Sequence, residues 1–224
     1  MKKNIIILLL LSFILPGIGA QEKLEINYES IKKAVTSENT YKELLKRYEA
    51  NDTTLKKNDY SILYYGQLYQ KSYNPYNVEG LDEANKLMKA KEYNKAYEQC
   101  LKILQKNPVS LNTLENLYYA GKALGKPQEE LENYIMKFWK LMNMIVSTGD
   151  GQSEKTAFHV ICVNDEYQLL RNYFEIEGFK QQSLVNSGEN SYDLMEFTSS
   201  KYYEGTKIYF DITKVFDFLN NAFK

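Results

Sequence analysis

The spacing of the apolar residues changes near Gly149. Before this glycine they recur at helical spacing, as in the segment 41–48, where Tyr and Leu fall three or four positions apart. After it they come in short runs separated by Gly, Asn and Ser, a pattern typical of strands. The sequence therefore predicts an α+β fold, with a helical region over residues 21–148 and a small antiparallel sheet with a final helix over residues 149–224.

Four strands, a short helix or strand over residues 165–174, and a final helix are predicted in the second region. The apolar run over residues 156–163 has no polar face, which indicates a strand that is buried on both sides. Further strands are predicted over residues 182–185, 192–197 and 207–211, with glycine-containing turns between them. The apolar spacing over residues 213–223 predicts the final helix, which we expect to pack on the sheet.

One long helix is predicted between the two regions, from Pro127 to Ser147. Its apolar residues fall on two faces, so both faces must be covered by other parts of the chain. We expect this helix to pack between the other helices and the sheet. The helical region alone, residues 21–148, is therefore not expected to fold independently.

Residues 84–108 are similar to the second half of a tetratricopeptide repeat. The small residues Ala84 and Ala96 stand where the two helices of such a repeat approach closely, and Pro108 stands where the unit ends. A weaker second unit follows, so the resemblance extends over residues 78–147. It implies a grooved helical face that binds a protein or peptide. Two units are too few for a free-standing repeat array, so other parts of the chain must cover the open end.

Short motifs spread along the chain resemble one family. They are Leu63-Tyr64-Tyr65-Gly66, Asn74-Pro75-Tyr76, Gly149-Asp150-Gly151, Thr156-Ala157-Phe158, Asp165-Glu166-Tyr167 and Tyr209-Phe210-Asp211. Together they resemble domain-of-unknown-function family 4919, which consists of secreted proteins of Gram-negative gut bacteria. The resemblance implies export, and the family brings no established activity with it.

The first 20 residues have the pattern of a secretory signal peptide. Lys2 and Lys3 precede an apolar run over residues 5–15, and small residues lead to a predicted cleavage after Ala20. The run is too short to cross a bilayer, for which about 20 apolar residues are needed. Residue 21 is Gln, and no cysteine is near it to accept a lipid anchor. The sequence thus predicts a periplasmic or secreted protein without an integral membrane segment.

The charge balance bears on the kind of partner. Removing Lys2 and Lys3 from the 28 basic residues leaves 26 against 29 acidic ones, a net charge of −3. Nucleic-acid binding depends on a surplus of cationic contacts, so a nucleic-acid partner is not expected. The partner favoured by this composition is a protein or peptide, with a glycan as an alternative.

Tyrosine is used heavily, with 20 in the chain. Exposed tyrosines make good contact surfaces, because the ring gives a large amphipathic area at low entropic cost. The candidate contacts lie around an Asn-Pro turn and are Tyr64, Tyr65, Tyr69, Tyr73 and Tyr76. The alternative is that these rings fill the spaces between helices, as part of a codon bias that favours Lys, Asn, Ile and Tyr over Arg.

Catalytic patterns are scarce. The single histidine excludes a metal site built on two histidines, and no metal or other cofactor is predicted. The weak catalytic candidates are Asp150, His159, Asp165 and Glu166. In an extended segment Ser153 and Asp165 would each lie about 20 Å from His159, too far for a nucleophilic triad. Cys100 and Cys162 fall at predicted buried positions, which favours free thiols over a disulfide.

Three functions are therefore compatible with the sequence. The favoured one is an exported, non-enzymatic interaction module that uses its tetratricopeptide-like helices. The alternatives are a periplasmic hydrolase, with a site between the two regions, and a glycan-binding accessory protein. A pocket with His159 beside a carboxylate would favour the hydrolase, whereas a buried His159 and an exposed tyrosine groove would favour binding.

Overall fold

The computed structural model describes residues 23–37 and 39–222. The predicted signal peptide, residues 1–20, lies outside these ranges, so its cleavage after Ala20 stays a prediction. We expect the intact mass of the exported protein to correspond to a chain that starts at Gln21. An exported chain that retained the leader would contradict this expectation.

Helices make up the first region. They are α1 (Tyr28–Thr36), α2 (Thr40–Glu49), α3 (Lys57–Tyr65), α4 (Leu81–Lys89), α5 (Tyr93–Lys106), α6 (Leu111–Ala123) and α7 (Gln128–Val146). Local side chains fix several of their starts. Asn27 Oδ1 accepts a hydrogen bond from the Ser30 N–H at the start of α1, and Asp59 reaches back to the Lys56 N–H at the start of α3.

The second region holds the strands and two more helices. The strands are β1 (Phe158–His159), β2 (Ile176–Glu177), β3 (Gln181–Ser187), β4 (Asn190–Glu196), β5 (Ser199–Ser200) and β6 (Lys207–Asp211). Helix α8 (Val163–Gln168) continues as a π-helical turn over Leu169–Tyr173, and α9 (Thr213–Ala222) follows β6. The predicted α+β class is confirmed.

The main sheet has the strand order β1-β6-β4-β3. The pairs β3–β4 and β4–β6 are antiparallel, as predicted, whereas β1 runs parallel to β6. Strands β2 and β5 form a separate antiparallel pair. Strand β3 lies at the edge of the main sheet, and its partner β4 lies inside it.

The first strand is much shorter than predicted. Of the apolar run over residues 156–163, only Phe158 and His159 pair with β6. Residues Glu154–Thr156 form a 3₁₀ turn, and Cys162 is the residue that precedes α8. The run is apolar on both sides because it crosses the core between these two elements, and a core crossing needs no ladder of strand hydrogen bonds.

Helix α7 connects the two regions. It contacts α3 and α6 on the helical side and β1 on the sheet side. Its buried residues are Leu131, Phe138, Leu141, Met142, Met144 and Ile145. The largest core cluster includes buried residues of both regions, such as Leu63 and Phe210.

This shared core leads to a prediction about a fragment. We expect residues 21–148, expressed alone, to fail to form a cooperatively unfolding monomer. The fragment would expose the sheet-facing side of α7 and remove the acceptors of three tyrosine hydroxyls, those of Tyr64, Tyr65 and Tyr73. Calorimetry and sedimentation of the fragment test this. A soluble monomer with a single sharp transition would show that the helical region is an independent domain.

A smaller core cluster holds α4, α5 and α6 together. It consists of Leu81, Ala84, Tyr97, Cys100, Ile103, Leu117 and Ala120. Each of these helices contacts the next one in the chain, and α4 also contacts α6. Such contacts are compatible with stacked helix pairs, and the tetratricopeptide-like character of this segment remains an interpretation.

Ala96 gives a test of how closely α4 and α5 are packed. Ala96 has no exposed surface, whereas Ala90 lies exposed in the turn between the two helices. We expect Ala96→Leu to lower the free energy of unfolding by about 1–3 kcal/mol, because the larger side chain overpacks the site. Ala90→Leu should change it by less than about 0.5 kcal/mol. Denaturant titrations measure both, and equal effects would contradict close packing at Ala96.

No helix within the described ranges is long and apolar enough to cross a membrane.

Candidate functional site

The five candidate contact tyrosines do not form one exposed groove. Tyr64 and Tyr65 are at most 1% exposed, so their prediction as contact residues is wrong. Both are buried because their hydroxyls find partners inside the protein: Tyr64 donates to Asp165 Oδ2 at 2.6 Å, and Tyr65 donates to the His159 carbonyl at 2.9 Å. These two rings tie α3 to the segment that precedes and begins α8.

The other three tyrosines differ in exposure. Tyr69 and Tyr73 are half-buried and donate to the carbonyls of Tyr28 and Ile161. Tyr76 alone of the five is exposed, at 44%. Of the predicted contact set, Tyr76 is therefore the residue whose ring a large partner could reach without a rearrangement.

A cleft lies where the two regions meet, and we call it the amide cleft. Its walls come from the loop 72–79, the junction of α5 and α6, and the segment 161–165. Seven of its 18 lining residues carry amide or small hydroxyl side chains, and two tyrosines also line it: Gln67, Ser72, Asn74, Asn107, Ser110, Asn112 and Asn164, with Tyr64 and Tyr73. The cavity volume is about 40 Å³, enough for a few water molecules or one small polar group.

Two asparagines of the amide cleft belong to Asn-Pro dipeptides. Asn74 precedes Pro75, and its Oδ1 accepts from the backbone of Tyr76 and Asn77, which leaves its amide nitrogen for other partners. Asn107 precedes Pro108 at the end of α5. Its Oδ1 is buried and receives no hydrogen bond from the part of the chain that the structure describes. A buried acceptor without a donor is costly, so Asn107 destabilises the end of α5.

Asp165 is the acidic side chain that lines the amide cleft at depth. It is 5% exposed, and within the described ranges only its Oδ2 accepts a hydrogen bond, from Tyr64. Burial raises the pKa of Asp165 to about 7, against a smaller opposing effect of the Tyr64 hydroxyl. At neutral pH this group therefore exists both as an acid that donates and as a carboxylate that accepts.

Two charged residues at the rim of the amide cleft form an ion pair with each other. Lys106 Nζ lies 2.8 Å from Glu79 Oε2, and both side chains are largely exposed. An exposed ion pair of this kind contributes little to stability. Because the lysine is already paired, the amide cleft presents no free cation for an anionic ligand.

Glu166 follows Asp165 on α8 and faces the sheet instead of the amide cleft. It is fully buried, and neither of its carboxyl oxygens receives a hydrogen bond from a described donor. Its neighbour is Asp193 of β4, whose Oδ2 accepts from Gln182 at 2.6 Å. Two carboxylates cannot bond to each other, so the pair must hold a proton. Burial, and then Asp193, raise the pKa of Glu166 well above its ordinary value.

The catalytic candidates lie in separate places. His159 Nδ1 lies 3.6 Å from Asp211, beyond hydrogen-bond distance, and burial lowers the pKa of His159. Asp150 is exposed and accepts from the Gln152 N–H in a turn. Neither residue lines the amide cleft, where Asp165 lies, and Glu166 is sealed from solvent. The expected grouping of Asp150, His159 and Asp165 or Glu166 in one hydrolytic site is therefore not found.

The two thiols are free in the structure. Cys100 is buried in the smaller core cluster, and Cys162 lines the amide cleft with its Sγ 3.3 Å from the Pro75 carbonyl. Burial raises the pKa of both thiols, that of Cys100 to about 12. Over the described residues, no group of three or more His, Cys, Asp or Glu side chains has a metal-binding arrangement.

A second polar cluster joins α6 to α8 on the outside of the amide cleft. Glu115 of α6 accepts from Gln168, Arg171 and Asn172, at 2.9, 2.7 and 3.1 Å. These hydrogen bonds place α8 against α6 and so fix where Asp165 lies. The Glu115 carboxylate receives three hydrogen bonds from within the cluster, which indicates a positioning role.

One comparison with known proteins gives a match. The family described as a domain of unknown function (DUF4919) matches residues 29–220. No curated protein and no solved structure matches the chain.

Proposed function

The chain belongs to the DUF4919 family, and we propose that it is an exported, non-enzymatic binding module that holds a peptide segment of a partner protein over the amide cleft, with one small polar group of the peptide inside it. The observation that carries this proposal is the lining of that cleft by four asparagines. Tetratricopeptide-like packing of α4–α7 is part of the proposal, because the α5–α6 junction supplies one wall.

An amide lining suits a peptide backbone. An asparagine side chain carries the same donor and acceptor groups as a peptide unit, so it can pair with a backbone N–H and C=O at once. Peptide recognition of this kind depends on main-chain hydrogen bonds for affinity.

The tyrosines of the amide cleft argue against a glycan. Stacking on a sugar needs an accessible ring face, but Tyr64 is buried, and an edge-to-face contact packs the Tyr73 ring against Phe218. Their hydroxyls already donate to Asp165 and the Ile161 carbonyl. The rings therefore act as supports of the cleft wall, and the amides in front of them make the contacts.

Charge favours an uncharged peptide segment. The Lys106–Glu79 pair at the rim is neutral overall, and Asp165 is protonated below about pH 7. As an acid, Asp165 donates to a peptide carbonyl, and as a carboxylate it repels the same oxygen. We therefore expect binding to weaken as the pH rises through 7.

The test starts from a random heptapeptide library displayed on phage. Selected sequences are synthesised and their binding is measured by calorimetry. Asn112 makes no side-chain hydrogen bond within the described chain, so Asn112→Leu should leave stability intact and weaken binding by about tenfold or more. Asn94→Leu, an exposed position of α5 outside the cleft, is the matched control and should bind as the wild type does.

The other functions give different outcomes in the same experiment. Failure to select any peptide, or selected peptides that bind the Asn112→Leu variant equally well, would contradict the proposal. Binding of soluble neutral oligosaccharides in place of peptides would support the glycan-binding alternative. Shortening of a bound peptide over time, seen by mass spectrometry, would support the hydrolase.

A further inference from the structure

The outer edge of the main sheet lacks the usual protection. Strand β3 pairs with β4 over all of Gln181–Ser187 without an interruption in register. No described backbone group outside β4 bonds to this strand. Proteins normally block such an edge with lysine, proline or a bulge, because its free N–H and C=O groups invite another strand. The strand Gln-Gln-Ser-Leu-Val-Asn-Ser carries no charge and no proline.

The hairpin turn determines which groups point outward. Gly188 has φ of +63°, and the two-residue turn Gly188-Glu189 joins Ser187 to its partner Asn190. The residues that close such a turn exchange hydrogen bonds, and bonded pairs then alternate along the ladder. The inward set is therefore residues 181, 183, 185 and 187. The N–H and C=O groups of Gln182, Leu184 and Asn186 point away from the sheet.

We propose that two copies of this chain pair antiparallel through β3, about a two-fold axis at Leu184, to form one continuous eight-stranded sheet. In this register Leu184 faces its own copy, and Gln182 faces the partner's Asn186. All three outward-pointing residues of each strand are then bonded, which gives about six backbone hydrogen bonds across the axis. A two-fold interface of this kind buries the same patch on both copies.

The side chains around the axis fit this pairing. Leu184 is 49% exposed and lies at the axis, so the pairing covers an apolar side chain that the monomer leaves in water. Phe179, 48% exposed, lies just before the strand and would approach the turn of the other copy. Because β3 itself carries no charge, no like charges meet at the centre.

The two charges that flank β3 are complementary. Lys180 precedes the strand and Glu189 lies in the turn that follows it, and both are exposed. Neither forms an ion pair with another described residue. Antiparallel pairing at Leu184 places Lys180 of each copy opposite the partner's Gly188 and next to the partner's Glu189, once at each end. This complementarity singles out a second copy as the occupant of the edge.

Sedimentation velocity of the chain from Gln21 tests the proposal over a range of concentrations. We expect a dimer whose fraction rises with concentration. Leu184→Lys should abolish it, because two lysines would face each other at the axis, whereas Leu124→Lys, at another exposed leucine, should not. A wild type that stays monomeric at high micromolar concentration would overturn the proposal, as would a dimer that survives Leu184→Lys.

Charge reversal tests the register independently. Lys180→Glu and Glu189→Lys should each weaken the dimer by about tenfold or more, because each places like charges together at both ends. An equimolar mixture of the two variants should associate again as a heterodimer, and so should the double variant with itself. Single variants that dimerise as well as the wild type, or a mixture that stays monomeric, would overturn the two-fold pairing.

Hydrogen exchange shows whether a second copy covers the outward-pointing backbone groups of β3. The amides of Gln182, Leu184 and Asn186 should exchange more slowly as the protein concentration rises. Protection that does not change with concentration would mean that the edge is covered within one chain, and it would overturn the proposal.

Discussion

The Glu166→Gln variant is expected to be more stable than the wild type above neutral pH, by about 1–4 kcal/mol. Glu166 is fully buried beside Asp193 and has no described donor when it is ionised. A glutamine of the same shape keeps the packing and supplies an N–H that donates to Asp193. The variant therefore removes the need for a proton that the pair holds in the wild type.

The pH dependence follows from the direction of the pKa shifts. For Asp165 the pKa rises from 3.8 to about 7 on folding, which corresponds to about 4 kcal/mol. A raised carboxyl pKa gives stability that is complete below the pKa of the unfolded chain and is lost as the pH rises to that of the folded one. This loss therefore extends from about pH 4 to pH 7. The pKa values of Glu166 and Asp193 are raised too, so they add to the loss in the same direction.

Thermal unfolding over this pH range measures both effects. The wild type should unfold at a higher temperature at about pH 5 than at about pH 8, and Glu166→Gln should flatten the difference. Glu204→Gln, in the exposed loop before β6, is the control and should follow the wild type. If the unfolding midpoint of Glu166→Gln at pH 8 is lower than that of the wild type, the buried Glu166–Asp193 pair does not destabilise the protein.

Gly149→Ala is expected to destabilise the protein by at least about 3 kcal/mol. A Cβ at this position would lie 2.0 Å from the Thr156 carbonyl oxygen and 2.7 Å from that of Ala157. Both obstacles are backbone atoms, which cannot turn aside as a flexible side chain can. The Thr156 carbonyl also accepts from Asp150 and Gly151. Relief of the clash would therefore break the loop that leads from α7 to the sheet.

Gly125→Ala separates this steric effect from the loss of glycine itself. Gly125 has φ of +68°, and a Cβ there would meet no atom within 4 Å. Its substitution should cost only the backbone strain of an L-residue, about 1 kcal/mol. Denaturant titration of both variants gives the comparison. Equal losses of unfolding free energy in the two variants would show that the loop around Gly149 accommodates a Cβ more easily than its backbone contacts imply.

Local patterns predicted most of the sheet correctly. Alternation and the turn at Gly188 indicated the β3–β4 hairpin, and the apolar spacing over residues 213–223 indicated α9. The strand predicted over residues 156–163 is too long, because a segment that crosses the core is apolar on both sides whether or not it pairs as a strand. Burial is visible in a sequence, whereas the hydrogen-bond partner of a short segment depends on the tertiary fold.

The candidate site was much harder to predict. The partner of Tyr64 is Asp165, which follows 101 residues later, and no local pattern reports such a contact. Asp165 is among the catalytic candidates as a partner of His159, but the carboxylate near His159 in the structure is that of Asp211. One usable signal is the pair of Asn-Pro dipeptides, because both of their asparagines line the amide cleft.

The tyrosines that donate to distant carbonyls also limit which substitutions this sequence can accumulate. Phenylalanine is one nucleotide change away from tyrosine and nearly the same size, so it is the easiest replacement for mutation to supply. Tyr41, Tyr48, Tyr65, Tyr69 and Tyr73 each donate to a distant backbone carbonyl. Each replacement of one of these tyrosines by phenylalanine removes one hydrogen bond and lowers the free energy of unfolding by about 1 kcal/mol. If a codon bias supplied these tyrosines, their replacement would now be selected against. A few such changes together would approach the whole free energy of unfolding of an ordinary domain.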